Sequence, residues 1–253
     1  TIFLQILSNL ANDYGDSVHG ADSADRKGPS RAVQSGRISP AQMKAGILVF
    51  VLLSLVSGIG LLFTSFGLNW SAIFFFLGLG VLSILAAIGY TVGKRPYGYA
   101  GLGDISVFIF FGLVGVMGSL YLFTHQLSWQ YIWPAISCGV FAVGVLNINN
   151  IRDIDSDRKA GKFSIPVRIG KQNAALYHWS LVIVGLGSAV AFVAMHFESA
   201  LQFLFILSAP AFLVISRNIQ VKPSHELDPY LKFMALSTLL FVILFGVGQL
   251  VAF

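Results

Sequence analysis

Stretches without a formal charge divide this chain. Ala45 to Gly93 and Ile105 to Ile151 contain no Asp, Glu, Lys or Arg, only Glu198 carries charge between Lys171 and Arg217, and Phe233 to Phe253 closes the sequence. A membrane-crossing helix needs about 20 apolar residues, so each of the three long stretches predicts two spans joined by a turn. The turns fall at Ser65 to Asn69, at Thr124 to Ser128 and in the vicinity of His196 to Ser199. Backbone groups in hydrocarbon must find partners within their own segment, and the stretches are far too long for barrel strands. The expected fold class is therefore all-α, a polytopic membrane helical bundle with seven complete spans. Thr1 to Ala11 is apolar over only half a span. It reads as the remainder of a truncated first helix, with an N-terminal helix missing before it.

Composition agrees with that pattern. Apolar residues make up 56% and charged residues 11% of the chain, and mean hydropathy is +0.78. A soluble domain averages about 25% charged residues, so soluble, disordered and coiled-coil classes are excluded. A single cysteine, Cys138, excludes an intrachain disulfide framework. The net charge of +5 takes its meaning from topology. Every long stretch crosses twice, so all 16 Lys and Arg residues share one side of the bilayer, and positive-inside bias makes that side cytoplasmic. Of the 11 acidic residues only Glu198 lies elsewhere. Positive-inside bias does not explain acids, so they need another reason.

Two acidic clusters supply one. Asn9, Asn12, Asp13 and Asp16 stand at i, i+3, i+4 and i+7, and Asn149, Asp153 and Asp157 repeat every fourth residue. On a helix each set shares a face, with Asp155 roughly opposite. Similar basic runs follow both clusters, Asp25-Arg26-Lys27-Gly28 before Arg31 and Asp157-Arg158-Lys159-Ala160-Gly161-Lys162 before Arg168, as two duplicated helix-and-loop units would. Carboxylates at helix C-termini oppose the dipole and repel one another. Pairing with nearby bases in water is one remedy. A bound divalent cation is the other, and oxygen-only ligands select a hard metal, Mg²⁺ or Ca²⁺. Mg²⁺ completes its shell with water and substrate phosphates, so bases beside both clusters fit a phosphate ester.

The segments Asn12-Asp13-Tyr14-Gly15-Asp16, Arg31 with Ser35-Gly36 and Ile38-Ser39, and Asn149/Asp153/Asp157 resemble the UbiA superfamily of intramembrane prenyltransferases. Tyr90-Thr91-Val92-Gly93, Pro96-Tyr97-Gly98-Tyr99, Gly101-Leu102-Gly103-Asp104 and Leu146-Asn147-Ile148-Asn149-Asn150 are similar to its naphthoate branch. The resemblance runs through the whole chain and implies one membrane-embedded prenyltransferase domain over 1–253. One departure stands out: Gly20 occupies the position of the family's third Asp in the first motif, with Asp22 as the nearest substitute.

The resemblance implies an enzyme of the inner membrane, with its active site at the cytoplasmic face. Its reaction would be Mg²⁺-dependent transfer of a polyprenyl group from polyprenyl diphosphate to 1,4-dihydroxy-2-naphthoate, with loss of CO₂, giving demethylmenaquinone. Asp13, Asp16, Asp153 and Asp157 would hold Mg²⁺, with Asn12 and Asn149 as neutral oxygen ligands. Arg31, Lys94, Arg95, Arg158 and Lys162 would clamp the diphosphate, and Lys27 is a further basic neighbour. Tyr90 and Tyr97 would face the allylic cation through their π systems. Asp104 opens a helix, where a carboxylate suits the dipole; it would either cap that helix or orient the acceptor. The prenyl tail gains about 0.8 kcal/mol per CH₂ kept in the bilayer. Alternatives are a prenyltransferase for another aromatic acceptor such as 4-hydroxybenzoate, a CDP-alcohol phosphotransferase and a cation-coupled transporter. The second keeps its acids in one continuous motif, and the third places them near the midplane; neither matches two clusters at one membrane face.

Overall fold

The computed structural model describes residues 1–21 and 31–252. Asp22 and Lys27 lie outside the described residues. Among the described residues an opening helix, Ile2–His19, is followed by seven helices long and apolar enough to cross a membrane: Pro40–Phe66, Trp70–Gly89, Gly103–Thr124, Trp129–Arg152, Ile165–Met195, Ala200–Val221 and Asp228–Leu250, here spans 1 to 7. No strand occurs among the described residues. The three expected turns join spans 1 and 2, 3 and 4, and 5 and 6.

Local chemistry explains where the spans begin and end. Span 1 starts at Pro40 behind a capping box, with the Ser39 side chain accepting from the Gln42 N–H and Gln42 returning the bond to the Ser39 N–H. Gly67 ends it with φ +56°. The Asn69 side chain caps span 2 by accepting from the Ala72 N–H, and Ser199 with Gln202 repeats the capping box at span 6. Four spans depart from regular α-helix, and two of them, spans 4 and 6, open with 3₁₀ segments at Trp129–Tyr131 and Ala200–Ser208. Phe108–Met117 in span 3 is π-helical, and Gly170 (φ +79°, ψ 162°) breaks span 5 near its start.

The chain forms two compact units. The first comprises Thr1–Gly103 and Asp155–Ser164. In it the opening helix buries Leu7, Ala11 and Gly15 along one stripe and packs on spans 1 and 2. Gly15 permits the closest approach, because a Cβ there would lie 2.5 Å from Thr91 Oγ1. That hydroxyl instead donates to the Ala11 carbonyl at 2.9 Å. Spans 1 and 2 leave Leu48, Leu52, Val56, Phe74 and Phe75 exposed, a surface suited to lipid tails.

The second unit comprises Asp104–Ile154 and Ile165–Phe253. Its core centres on Phe141, stacked on Phe212 with centroids 4.4 Å apart and meeting Phe241 edge-on at 5.0 Å. Lipid tails are as apolar as these side chains, so burial alone does not drive helices together; close packing at small residues does. Span 4 illustrates this. A Cβ on Gly139 would lie 2.8 Å from Phe108 Cδ2, and the Ser137 hydroxyl donates across to the Gly185 carbonyl at 2.7 Å.

Gly185 faces the Phe141 ring more closely than any real Cβ could, whereas Gly187, two residues on, faces open space. Gly185→Ala should therefore destabilise the protein by about 1–3 kcal/mol through overpacking, read as a lower melting temperature in detergent. Gly187→Ala should be neutral or slightly stabilising. Equal melting temperatures for the two variants would contradict this packing.

Candidate active site

The first acidic cluster occupies the last turns of the opening helix, and its members meet different surroundings. Asn9 is exposed and accepts from Gln5 Nε2 at 3.4 Å. Asn12 accepts from the Thr91 hydroxyl at 3.3 Å. Asp13 accepts from the backbone N–H groups of Ala32 and Val33, at 3.0 and 3.4 Å, and so pins the segment that begins at Arg31. Asp16 is buried, and Arg31 reaches its Oδ2 at 3.0 Å. Asp13 thus orders the loop that delivers a cation to Asp16.

The second cluster does not run along one continuous helix. Span 4 ends at Arg152, Asp153 takes a non-helical turn (φ −95°, ψ 12°), and a short helix, Ile154–Lys159, follows. Asp157 belongs to the first unit and Asn149 and Asp153 to the second. Asp155 is exposed, as its position opposite the motif face predicts.

Within the first unit, Lys162 joins the two motifs. Its ammonium lies 3.4 Å from Asp157 Oδ1 and 4.0 Å from Asp16 Oδ2, and its side chain is 5% exposed. Tyr99 completes the group: its hydroxyl donates to Asp16 Oδ1 at 3.0 Å, and its ring centroid lies 5.8 Å from Lys162 Nζ. Two backbone bonds hold the geometry, from Lys162 N–H to the Asp157 carbonyl at 2.8 Å and from Phe163 N–H to the Tyr99 carbonyl at 2.9 Å. Burial alone would pull the Lys162 pKa down, but the Asp16 and Asp157 carboxylates outweigh it and hold the pKa above its ordinary value. Lys162 therefore stays cationic at neutral pH.

The other sequence candidates make different contacts, although Tyr90 lies close enough to Lys162 to act on its charge. Lys94, Arg95 and Arg158 are exposed, and among the described residues none of them pairs with an acid. Tyr97 donates its hydroxyl to the Ala86 carbonyl at 2.8 Å, and Tyr90 packs edge-on against its ring at 5.5 Å. In the second unit Asp104 is buried and accepts from the Tyr177 hydroxyl at 3.0 Å, so it ties span 3 to span 5. His178 is fully buried in span 5.

Also in the second unit, the Arg152 guanidinium forks onto Asp153, donating to Oδ1 at 2.9 Å and Oδ2 at 2.7 Å. It also donates to Asn149 Oδ1 at 2.8 Å and to Asp228 Oδ1. Sequence patterns pass over Tyr99, Tyr177, Arg152 and Asp228. Tyr99 stands within Pro96 to Asp104, and Arg152 stands inside the second motif, so position alone could have singled out both.

The donor set suits a hard divalent cation beside an anion. The acids offer only oxygen, and Asp16 and Asp157 are brought to one shared ammonium. Among the described residues no three His, Cys, Asp or Glu side chains form a cage of their own, and Mg²⁺ at phosphate sites typically takes one or two carboxylates and fills its shell from substrate and water. Lys162→Met would leave two buried carboxylates without their shared cation. It should destabilise the protein by about 3 kcal/mol at neutral pH, measured by thermal melting in detergent. The deficit should shrink as falling pH protonates the carboxylates. A variant as stable as its parent at neutral pH would refute the shared ion pair.

Comparison with known proteins identifies the family. The model of the UbiA prenyltransferase family matches residues 1–251. The chain is 47% identical over 254 residues to 1,4-dihydroxy-2-naphthoate octaprenyltransferase of Haemophilus influenzae, covering 99% of this chain and 82% of that protein. It is 48% identical over 227 residues to the Escherichia coli protein of the same name, covering 89% and 72%. Its fold matches the apo structure of a UbiA homolog from Aeropyrum pernix K1 with a TM-score of 0.62 at 20% identity, covering 99% and 86% of the two chains. With oxygen-only acids, buried bases and membrane-length helices in the positions described, the chain belongs to the UbiA prenyltransferase family and is an aromatic prenyltransferase.

Proposed function

We propose that this enzyme transfers a polyprenyl group from polyprenyl diphosphate to 1,4-dihydroxy-2-naphthoate in a Mg²⁺-dependent reaction at the cytoplasmic face of the inner membrane. The observation that carries the diphosphate part is the group formed by buried Asp16, Asp157 and Lys162 with partly exposed Arg31, which combines carboxylate oxygens with cations for an anionic leaving group. The acceptor is supported by the naphthoate octaprenyltransferases to which the chain is 47% and 48% identical over most of its length. The one-sided distribution of all 16 bases supports the cytoplasmic placement.

The chemistry assigns roles. The allylic C–O bond breaks, the diphosphate departs with the electron pair, and positive charge develops on the prenyl carbon. Bound Mg²⁺ would supply Lewis-acid stabilisation of the departing oxygens. Asp13, Asp16, Asp153 and Asp157, with Asn12 and Asn149, are its assigned ligands. Lys162 and Arg31 neutralise the leaving diphosphate through charge-assisted hydrogen bonds, and Lys94, Arg95 and Arg158 attract it from solvent. Tyr90 and Tyr97 present aromatic faces that stabilise the allylic cation. Asp104, held by Tyr177, orients the acceptor hydroxyl groups.

The ring carbon bearing the carboxylate attacks the prenyl carbon. The bond to the carboxylate then breaks, CO₂ leaves, and its electron pair restores aromaticity. The product is demethylmenaquinone, formed as its hydroquinone. With purified enzyme, prenyl diphosphate, Mg²⁺ and carboxyl-labelled dihydroxynaphthoate, one labelled CO₂ should be released per prenyl transferred. Product that keeps the label, or turnover with 4-hydroxybenzoate alone, would overturn the acceptor assignment.

A further inference from the structure

We propose that Arg152, anchored by Asp228, is a positioning residue that fixes Asn149 and Asp153 in the orientation needed to bind the metal. The inference rests on the metal–diphosphate reading above and adds two residues to it.

The geometry is specific. Arg152 has its side chain 3% exposed, and its fork contacts both oxygens of the adjacent Asp153 while a terminal nitrogen also reaches Asn149 Oδ1. One planar group therefore sets the rotamers of two assigned metal ligands at once. Lysine could not do this, since its ammonium is a point charge without a fixed fork.

Asp228 keeps the arrangement from collapsing. It stands in the first turn of span 7, where a carboxylate is favoured by the helix dipole, and its side chain is 40% exposed. Within this network one guanidinium serves two carboxylates. Asp228 draws charge density from Arg152 that would otherwise be fully committed to Asp153. Without Asp228, Arg152 would neutralise Asp153 more completely and weaken its hold on a divalent cation. Groups that hydrogen-bond to metal ligands commonly change metal affinity 10–100-fold.

Titration of purified protein with Mn²⁺, followed by electron paramagnetic resonance in the presence of a prenyl thiolodiphosphate, reads this directly. Asp228→Asn should weaken Mn²⁺ binding about tenfold and raise the Mg²⁺ concentration for half-maximal turnover in parallel. Asp228→Glu should recover most of the loss. Arg152→Lys, which keeps the charge and loses the fork, should also weaken binding about tenfold; Asp228, being partly exposed, provides the test should Arg152→Lys fold poorly. A purely structural role would lower the yield of folded protein and leave the Mn²⁺ affinity of the folded fraction unchanged. Parental affinity in Asp228→Asn, with Mn²⁺ binding lost in Asp153→Asn, would overturn this inference alone. Parental affinity and turnover in Asp153→Asn would overturn the metal reading together with it.

Discussion

A lysine ammonium removed from water is tolerated only where nearby anions offset its lost hydration. Lys162 meets that condition with Asp16 on the opening helix and Asp157 on the short helix after span 4. The ammonium balances two buried carboxylates at once, and they in turn replace the hydration it has lost. The rest of the site follows from this mutual requirement. Tyr99 hydrogen-bonds the same Asp16 carboxylate, Arg31 approaches its other oxygen, and Asp13 holds the backbone that carries Arg31. A diphosphate with its metal would enter this group as an exchange of charges, with anionic oxygens gaining bases and acids gaining a divalent cation.

The bilayer imposes the second constraint. Hydrocarbon cannot satisfy backbone groups, so the chain crosses as helices and keeps its irregular backbone, and with it its charged chemistry, at span ends. Where regular helix gives way inside a span, the reason is local. The π-helical run Phe108–Met117 contains Gly112, whose Cβ would come within 2.7 Å of the Ala135 carbonyl, so helix geometry and glycine placement together set that approach.

Much of this was legible in the sequence, because charge and apolar length alone mark spans in lipid. The turns at Ser65 to Asn69 and Thr124 to Ser128 emerge where polar residues interrupt apolar runs, and Asp16 and Asp157 emerge from four-residue spacing. What spacing cannot convey is contact across distance in the chain. Tyr90 and Tyr97 attract notice because they flank Lys94 and Arg95, yet Tyr99 is the tyrosine on Asp16, a pairing 83 residues apart. Asp228 looks like an ordinary N-terminal helix acid until Arg152, 76 residues earlier, is seen to reach it. Helical periodicity also assumes an unbroken helix, and the turn at Asp153 ends that assumption midway through the second motif.

The claim on which everything else turns is that Asp16, Asp157, Lys162 and Arg31 together bind a diphosphate through a divalent metal. Calorimetric titration of the purified protein with a non-reactive prenyl thiolodiphosphate, with and without Mg²⁺, tests it most directly. Tight binding should require Mg²⁺ and should be lost in Asp16→Asn. Equal affinity without the metal, or undiminished Mg²⁺-dependent binding in Asp16→Asn, would contradict it.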